Sequence, residues 1–256
     1  MACSADVCDF ENYTTERFKE EICKKANRNA FSLFHVNIRS LKKPLKVESL
    51  QNYINGLSYD FSVIGITETW GGKFEMEGYK HVHLSRDMNK GGGGISIYAR
   101  NELQFKCLPA KHFDISDADI ECTFIESNQR HFDLKVNVVV GIIYRPDSKR
   151  NETAFCKKLS DILDRLQQKS TVNRHIYLMG DLNVEADGKV IEMLESKNMN
   201  RRIFCQTRPK SKPGRVLDGI FTQRPCKPVG ILDCPGWELS DHCPIFAIDK
   251  KNKTKN

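Results

Sequence analysis

The sequence predicts a layered α/β fold, with sheet packed on sheet and helices on the outside. Three observations predict it. Apolar runs of strand length recur along all 256 residues. Several segments alternate apolar and polar side chains with a period of two, as Ile120, Cys122 and Phe124 do against Asp119, Glu121 and Thr123. Only a few stretches carry helical spacing, and no internal repeat is present.

Taken in order, residues 1–30 form a polar lead-in with a short amphipathic helix carrying Phe18, Ile22 and Ala26 on one face. Leu50, Tyr53, Ile54 and Leu57 keep helical spacing ahead of a strand over Phe61 to Ile66. Gly91 to Gly94 reads as a turn entering an edge strand at Ile95 to Tyr98. It is not a phosphate loop, because no Gly-Lys-Ser/Thr and no helix follow. Ile120 to Phe124 reads as a half-buried strand. Phe132, Leu134, Val136 and Val138 alternate in the same way, and the pattern then turns wholly apolar through Ile143, as in a strand entering the middle of a packed sheet. The clearest helix is Asn151 to Gln168, with Asn151 as N-cap and an apolar stripe of Phe155, Leu159, Ile162, Leu163 and Leu166. Val216 to Phe221, Val229 to Leu232 and Cys243 to Ile248 supply the last strands.

This length suits one large domain, placed at 31–249, with 250–256 a disordered basic tail. Net charge is +7, compatible with a polyanionic substrate, although the lysine-rich tail supplies much of the excess. The N-terminus lacks a signal peptide and no run is long enough to span a bilayer, so the expectation is an intracellular protein without a membrane partner. Ten cysteines include no Cys-x-x-Cys pair. Cys107, Cys122, Cys156 and Cys205 lie in or beside apolar runs and read as buried reduced thiols. The spacing of Cys226, Cys234, Cys243 and His242 matches no zinc module.

Four apolar runs end on polar groups able to bind metal or phosphate, at Asn37, at Glu68, at Tyr144-Arg145 and at Asp181 to Asn183, and Ser240-Asp241-His242 stands at the mouth of the last strand. Strands sharing a sheet can bring such ends to one rim. Asp181 and Asn183 lie two apart, so an extended segment would point both the same way. His242 needs an acidic partner. Its neighbour Asp241 is awkwardly placed for this in extended backbone, and Asp218 is the better candidate. Arg39, Arg145, Arg208 and the loop to Arg215 add positive charge suited to phosphates.

The stretches HVNIRSL (35–41), ITETW (66–70), GIIYRPD (141–147), MGDLNVE (179–185), LDGIF (217–221) and SDHCPIF (240–246) together resemble the endonuclease/exonuclease/phosphatase superfamily. The wording is most like the endonuclease domain of LINE-type, non-LTR retrotransposons. That resemblance implies a four-layered, DNase I-like α/β sandwich of two mixed sheets flanked by helices. It implies Mg2+, with Mn2+ as a substitute, held by Glu68, Asn37 and Asp241. It makes Asp181, Asn183, His242, Asp218 and Tyr144 catalytic: Asp181 handles the water, Asn183 positions it, Asp218 pairs with His242, and His242 and Tyr144 stabilise the phosphate. Arg39, Arg145, Thr207 and Ser240 are the expected substrate-binding residues.

The function implied is a DNA endonuclease that contacts mainly the phosphate backbone and nicks one strand to leave a 3′-hydroxyl, acting in the nucleus. In such elements a reverse transcriptase domain on the same polypeptide uses that end, and these residues contain none. The competing readings are the same fold acting on abasic DNA, RNA or a phosphorylated lipid or inositol, and a non-catalytic remnant that only binds DNA.

Overall fold

The computed structural model describes residues 10–24, 30–86, 92–128, 136–146, 151–168, 174–185, 188–204, 206–209, 215–233 and 239–249. Two mixed sheets make its centre. The first runs, in spatial order, β1 (Phe10–Tyr13), β13 (Cys226–Leu232), β14 (Ile245–Asp249), β2 (Ser32–Asn37), β3 (Val63–Thr67), β5 (Ile95–Arg100) and β4 (Tyr79–Leu84). The second runs β11 (Asn200–Arg201), β12 (Arg215–Thr222), β10 (Arg174–Glu185), β9 (Asn137–Tyr144), β8 (Glu121–Ser127) and β6 (Phe105–Cys107), with β7 (Ile115–Ser116) also on β8. The helices are α1 (Thr15–Phe18, continued by a π-turn over Lys19–Cys23), α2 (Lys46–Gly56), α3 (Ala110–Phe113), α4 (Glu152–Gln167) and α5 (Lys189–Ser196).

The layers follow from side-chain parity. Leu33 and Val63 of the first sheet meet Val138, Val140 and Ile142 of the second in the space between the sheets. The alternate positions Phe34, Val36, Ile64 and Ile66 pack outward with Leu50 and Ile54 of α2. On the other side Val139, Ile143, Ile176 and Leu178 pack against Phe155, Leu159 and Leu163 of α4 and Leu194 of α5. The result is helix, sheet, sheet, helix: the four layers expected. All five positions of the predicted α4 stripe are buried.

Several local expectations need correction. The polar lead-in carries an edge strand, with β1 pairing in parallel with β13, and Phe18 and Ile22 lie buried in the outer core. Ala26 lies outside the described residues, as do Phe132, Leu134, Cys205, Cys234 and the 250–256 tail. β5 is an inner strand between β3 and β4, not an edge. β8 is buried on both faces rather than half-buried, because its acids are paired on both sides: Glu121 with Arg86 on the inter-sheet face, and Glu126 with Arg174 and Lys106 on the other. Asn151 is the N-cap of α4 as expected, but it caps through its backbone carbonyl, which accepts from the Phe155 N–H, while its left-handed backbone lets its amide donate to Asp119. Cys107 is exposed, Cys156 half-buried and Cys122 buried. No described helix is long and apolar enough to cross a membrane.

Candidate active site

The space between the sheets changes character along its length. Its inward-facing positions are apolar in the middle, then become polar at the carboxyl ends of β2, β9 and β10. In the second sheet one row runs Glu121, Tyr144, Asp181, Asp218 across four neighbouring strands. β10 reaches that row through Gly180, where an added Cβ would lie 1.7 Å from the Ile143 carbonyl oxygen, so only glycine lets β10 and β9 stay this close. The first sheet supplies His35 and Asn37 from β2. Glu68 follows β3 directly, in a left-handed conformation (φ 55°) that turns it out of the strand.

Asn37 joins the two sheets. Its amide nitrogen donates to Glu68 Oε1 at 3.0 Å and to Asp181 Oδ2 at 2.7 Å, and its Oδ1 accepts from the Arg39 backbone at 3.1 Å. The Tyr144 hydroxyl donates to the same Glu68 oxygen at 3.2 Å. Asp181 is 1% exposed, and its Oδ1 has no hydrogen-bond partner. Burial first, and then the charge of Asp218, push the Asp181 carboxyl well above the usual carboxylate range. Burial and the charges of Glu68 and Asp181 also push the Tyr144 hydroxyl up, so it is a proton donor at any ordinary pH.

Beside this cluster lies an ion pair. His242 Nδ1 is 2.7 Å from Asp218 Oδ2, which also accepts the Thr207 hydroxyl. Burial pulls the His242 pKa down, but attraction and hydrogen bonding to Asp218, with Asp181 and Asp241 nearby, outweigh it and carry the pKa up to about 9. Burial likewise opposes the Asp218 charge, and His242, His35 and Thr207 overcome it and hold its pKa low. The ring is therefore a cation at neutral pH, with Nε2 its remaining donor. Ser240 sets its backbone: the Ser240 hydroxyl donates to the Asn37 carbonyl and accepts the His242 N–H at 3.0 Å. Thr207 and Ser240 are thus buried supports for Asp218 and His242 rather than substrate contacts.

The remaining expected residues sit differently. Asp241 Oδ2 is held by Arg39 at 3.1 Å and Arg208 at 2.5 Å, so it anchors two guanidinium groups at the rim. Those arginines are 55% and 38% exposed and carry the positive charge of the rim. Arg145 is buried: it donates to the Asn183 carbonyl at 2.8 Å, and its guanidinium lies over the Phe155 ring. It is a brace, not a phosphate contact. Asn183 returns a hydrogen bond to the Arg145 carbonyl at 2.9 Å. β10 is bulged between Asp181 and Val184 and Asn183 has φ 50°, so the two-residue parity argument fails there. Asn37 is oriented as a donor to both carboxylates and so fixes their positions relative to one another.

His35, Glu121 and Trp70 belong to the site region although the sequence did not single them out. His35 is fully buried, 3.2 Å from the Thr67 hydroxyl and 3.6 Å from Asp218 Oδ1, too far for a good hydrogen bond. Burial lowers its pKa to about 4. Its position two before Asn37 on one strand was the available signal. Glu121 was hidden because an alternating strand normally turns its acids to solvent. Asp181, Asp218 and His242 bring ligand-type atoms within 4.8 Å of one another. His242 Nδ1 and Asp218 Oδ2 are already engaged with each other, which leaves the Glu68 carboxylate for a cation and the orphaned Asp181 Oδ1 for a water. A carboxylate fits a hard divalent ion such as Mg2+ or Mn2+.

No family model matches the sequence, and no curated protein does; the likeness is structural. The fold superposes on the endonuclease domain of TRAS1, a telomere-specific non-LTR retrotransposon, with a TM-score of 0.62 at 10% identity over 86% of this chain and 98% of that one. It superposes equally on the AP endonuclease LMAP from Leishmania major, at 16% identity over 90% and 91% of the two chains, TM-score 0.62. An endonuclease/exonuclease/phosphatase family protein from Leptotrichia buccalis gives 0.61 at 15% identity, over 86% of this chain and 100% of that one. The chain therefore has the DNase I-like, four-layered fold of endonuclease/exonuclease/phosphatase proteins.

Proposed function

We propose that the protein is a divalent-metal-dependent phosphodiesterase that nicks one strand of DNA and leaves a 3′-hydroxyl, the end a reverse transcriptase could extend. The carrying observation is the convergence of Glu68, Asn37, Tyr144 and Asp181 through hydrogen bonds across two sheets, beside a charged Asp218–His242 pair.

Each group has a task suited to its state. Glu68 would hold the cation, steadied by Asn37 and Tyr144. A bound ion supplies charge neutralisation for the phosphoryl oxygens and the leaving oxygen. Asp181, its carboxyl raised by burial and by the Asp218 charge, can hold a water with Oδ1 and take its proton. His242, kept cationic by Asp218, donates from Nε2 to the phosphoryl oxygen, where charge grows in the transition state. The Tyr144 hydroxyl can turn to the same phosphate. Arg39 and Arg208 offer salt-sensitive contacts to the flanking backbone, which fits a basic protein and carries no base code. Nucleic-acid cleavage by the solved TRAS1 domain and LMAP, as their names state, supports the reading.

Supercoiled plasmid incubated with Mg2+ should convert to nicked circles with 3′-hydroxyl ends, and chelator should stop it. Glu68→Ala and His242→Ala should each lower the rate by about 100-fold or more. Nicking that survives chelator, or that both variants retain, would refute the proposal. Phosphate release from an inositol polyphosphate without nicking would move the site to another substrate.

A further inference from the structure

We infer that Trp70 is a stacking platform for a base of the DNA strand beside the scissile phosphate, so that the site requires a phosphodiester flanked by an intact base. The inference rests on the nuclease reading and narrows its substrate class.

The fold holds this indole at a conformational cost. Glu68 (φ 55°) and Trp70 (φ 53°) both adopt the left-handed region within three residues. For a residue as bulky as tryptophan that is an outlier, which persists only where the surroundings impose it. Here they do. The Trp70 N–H donates to the Gly93 carbonyl at 2.8 Å and the Thr69 N–H to that of Gly94 at 3.2 Å. The glycine segment is gripped in turn from beneath: the Gly94 N–H donates to Glu121 Oε2 at 2.6 Å, and Arg86 lies 3.1 Å from Oε1. Glu121 is fully buried. At Gly93 (φ 72°) an added Cβ would come within 2.3 Å of the Glu121 carboxylate, so the clamp closes only on glycine. A buried ion pair and two strained residues thus fix the position of one side chain.

That side chain is at the mouth of the site. The indole N–H points to Glu68 Oε2 at 3.3 Å, while Glu68 Oε1 faces Asn37 and Tyr144. Trp70 nevertheless stays 37% exposed, one of three large apolar residues so placed among those described. Holding Glu68 alone would need a hydrogen-bond donor; it would not need an exposed bicyclic ring. Base–aromatic stacking accounts for the ring, is tolerant of sequence, and suits a rim whose arginines read only phosphates. An inositol phosphate or a phosphorylated lipid head has no flat π-face to offer there.

The chain has two tryptophans, so Trp237→Phe leaves Trp70 as the sole indole emitter. In chelator, that protein is titrated with a single-stranded oligonucleotide and with an abasic strand of equal length. Quenching should accompany binding of the first only, with affinity roughly 5- to 150-fold tighter than for the second. In the nicking assay Trp70→Leu should raise KM by a similar factor, roughly 5- to 150-fold, whereas Trp70→Phe, which keeps a ring, should keep KM within about threefold of wild type whatever the lost N–H does to kcat. Equal quenching and affinity for both strands would overturn the inference. A Trp70→Leu variant that loses kcat at unchanged KM would do the same, leaving the indole as a support for Glu68. A wild-type protein that nicks nothing would sink the nuclease reading separately, and the quenching would still decide the role of Trp70.

Discussion

The two ends of the inter-sheet space are both polar, and they are built on opposite plans. At one end the Tyr177 hydroxyl donates to Asp249 Oδ2 at 2.9 Å, Arg224 Nε lies 3.0 Å from the same oxygen, and Arg224 also meets His175 at 3.0 Å. Positive and negative charge balance there. Four residues further along β10, at the other end, Asp181, Asp218, Glu68 and Glu121 crowd together, and Asp181 Oδ1, Asp218 Oδ1 and His35 Nδ1 are buried without hydrogen-bond partners. Orphaned buried polar atoms are rare because each costs about 1–3 kcal/mol. Among the described residues such atoms gather mainly at the Asp181 end, with Arg202 Nε an exception near Arg224, which points to the Asp181 end as the one open to a ligand.

The comparison can be broken most sharply at Asp181. Asp181→Asn should lower nicking by about 1,000-fold or more while preserving the Asn37 contact. Because it removes an uncompensated buried carboxylate, metal-free Tm should rise by about 2–4 °C. A fall in Tm would mean that the carboxylate is structural after all. At the closed end the signs should reverse: Asp249→Ala strands Arg224 and the Tyr177 hydroxyl, and should cost about 3 kcal/mol in denaturant unfolding with the nicking rate per folded molecule unchanged.

A smaller effect concerns pH. His35 has its pKa lowered to about 4, so as pH falls from about 6.5 the unfolded chain takes a proton that the folded chain refuses, and stability should decline until about pH 4. His242, raised to about 9, contributes stability that is complete below about pH 6.5 and lost as pH rises through 9. Unfolding measured across that range should decline in both directions, by of order 3 kcal/mol on the alkaline side, and His242→Ala should flatten that limb. The nicking rate should also fall as His242 loses its proton above about pH 9. An alkaline limb that persists in the variant would place its cause elsewhere.

Much of this was legible in the sequence, for reasons the parity of the strands explains. Val138, Val140 and Ile142 face one way and Val139 and Ile143 the other, so β9 reads as doubly buried from its residues alone. Polar groups that end such runs, at Asn37, Glu68, Tyr144 and Asp181, can gather at a sheet end, and the pairing of His242 with Asp218 was what the family resemblance implied once Asp241 was awkwardly placed. What stayed hidden depends on partners far apart in the chain. β1 is held by backbone pairing with β13, which four residues of sequence do not announce. The partners of Arg145 and Asp241, the Asn183 carbonyl and the guanidinium groups of Arg39 and Arg208, could not be read from sequence because they lie far away in the chain. Glu121 and Trp70 were invisible because the glycine segment that links them is a three-dimensional clamp.

The claim beneath all of this is that the open end binds one divalent cation at Glu68, with Asp181 beside it for the water. Titration of the metal-free protein with Mn2+, followed by water-proton relaxation, tests it without any substrate. One saturable site is expected in the wild type and in Asp249→Ala, and it should vanish in Glu68→Ala. A site that survives Glu68→Ala unchanged, or no Mn2+ binding to the folded wild type, would contradict the account.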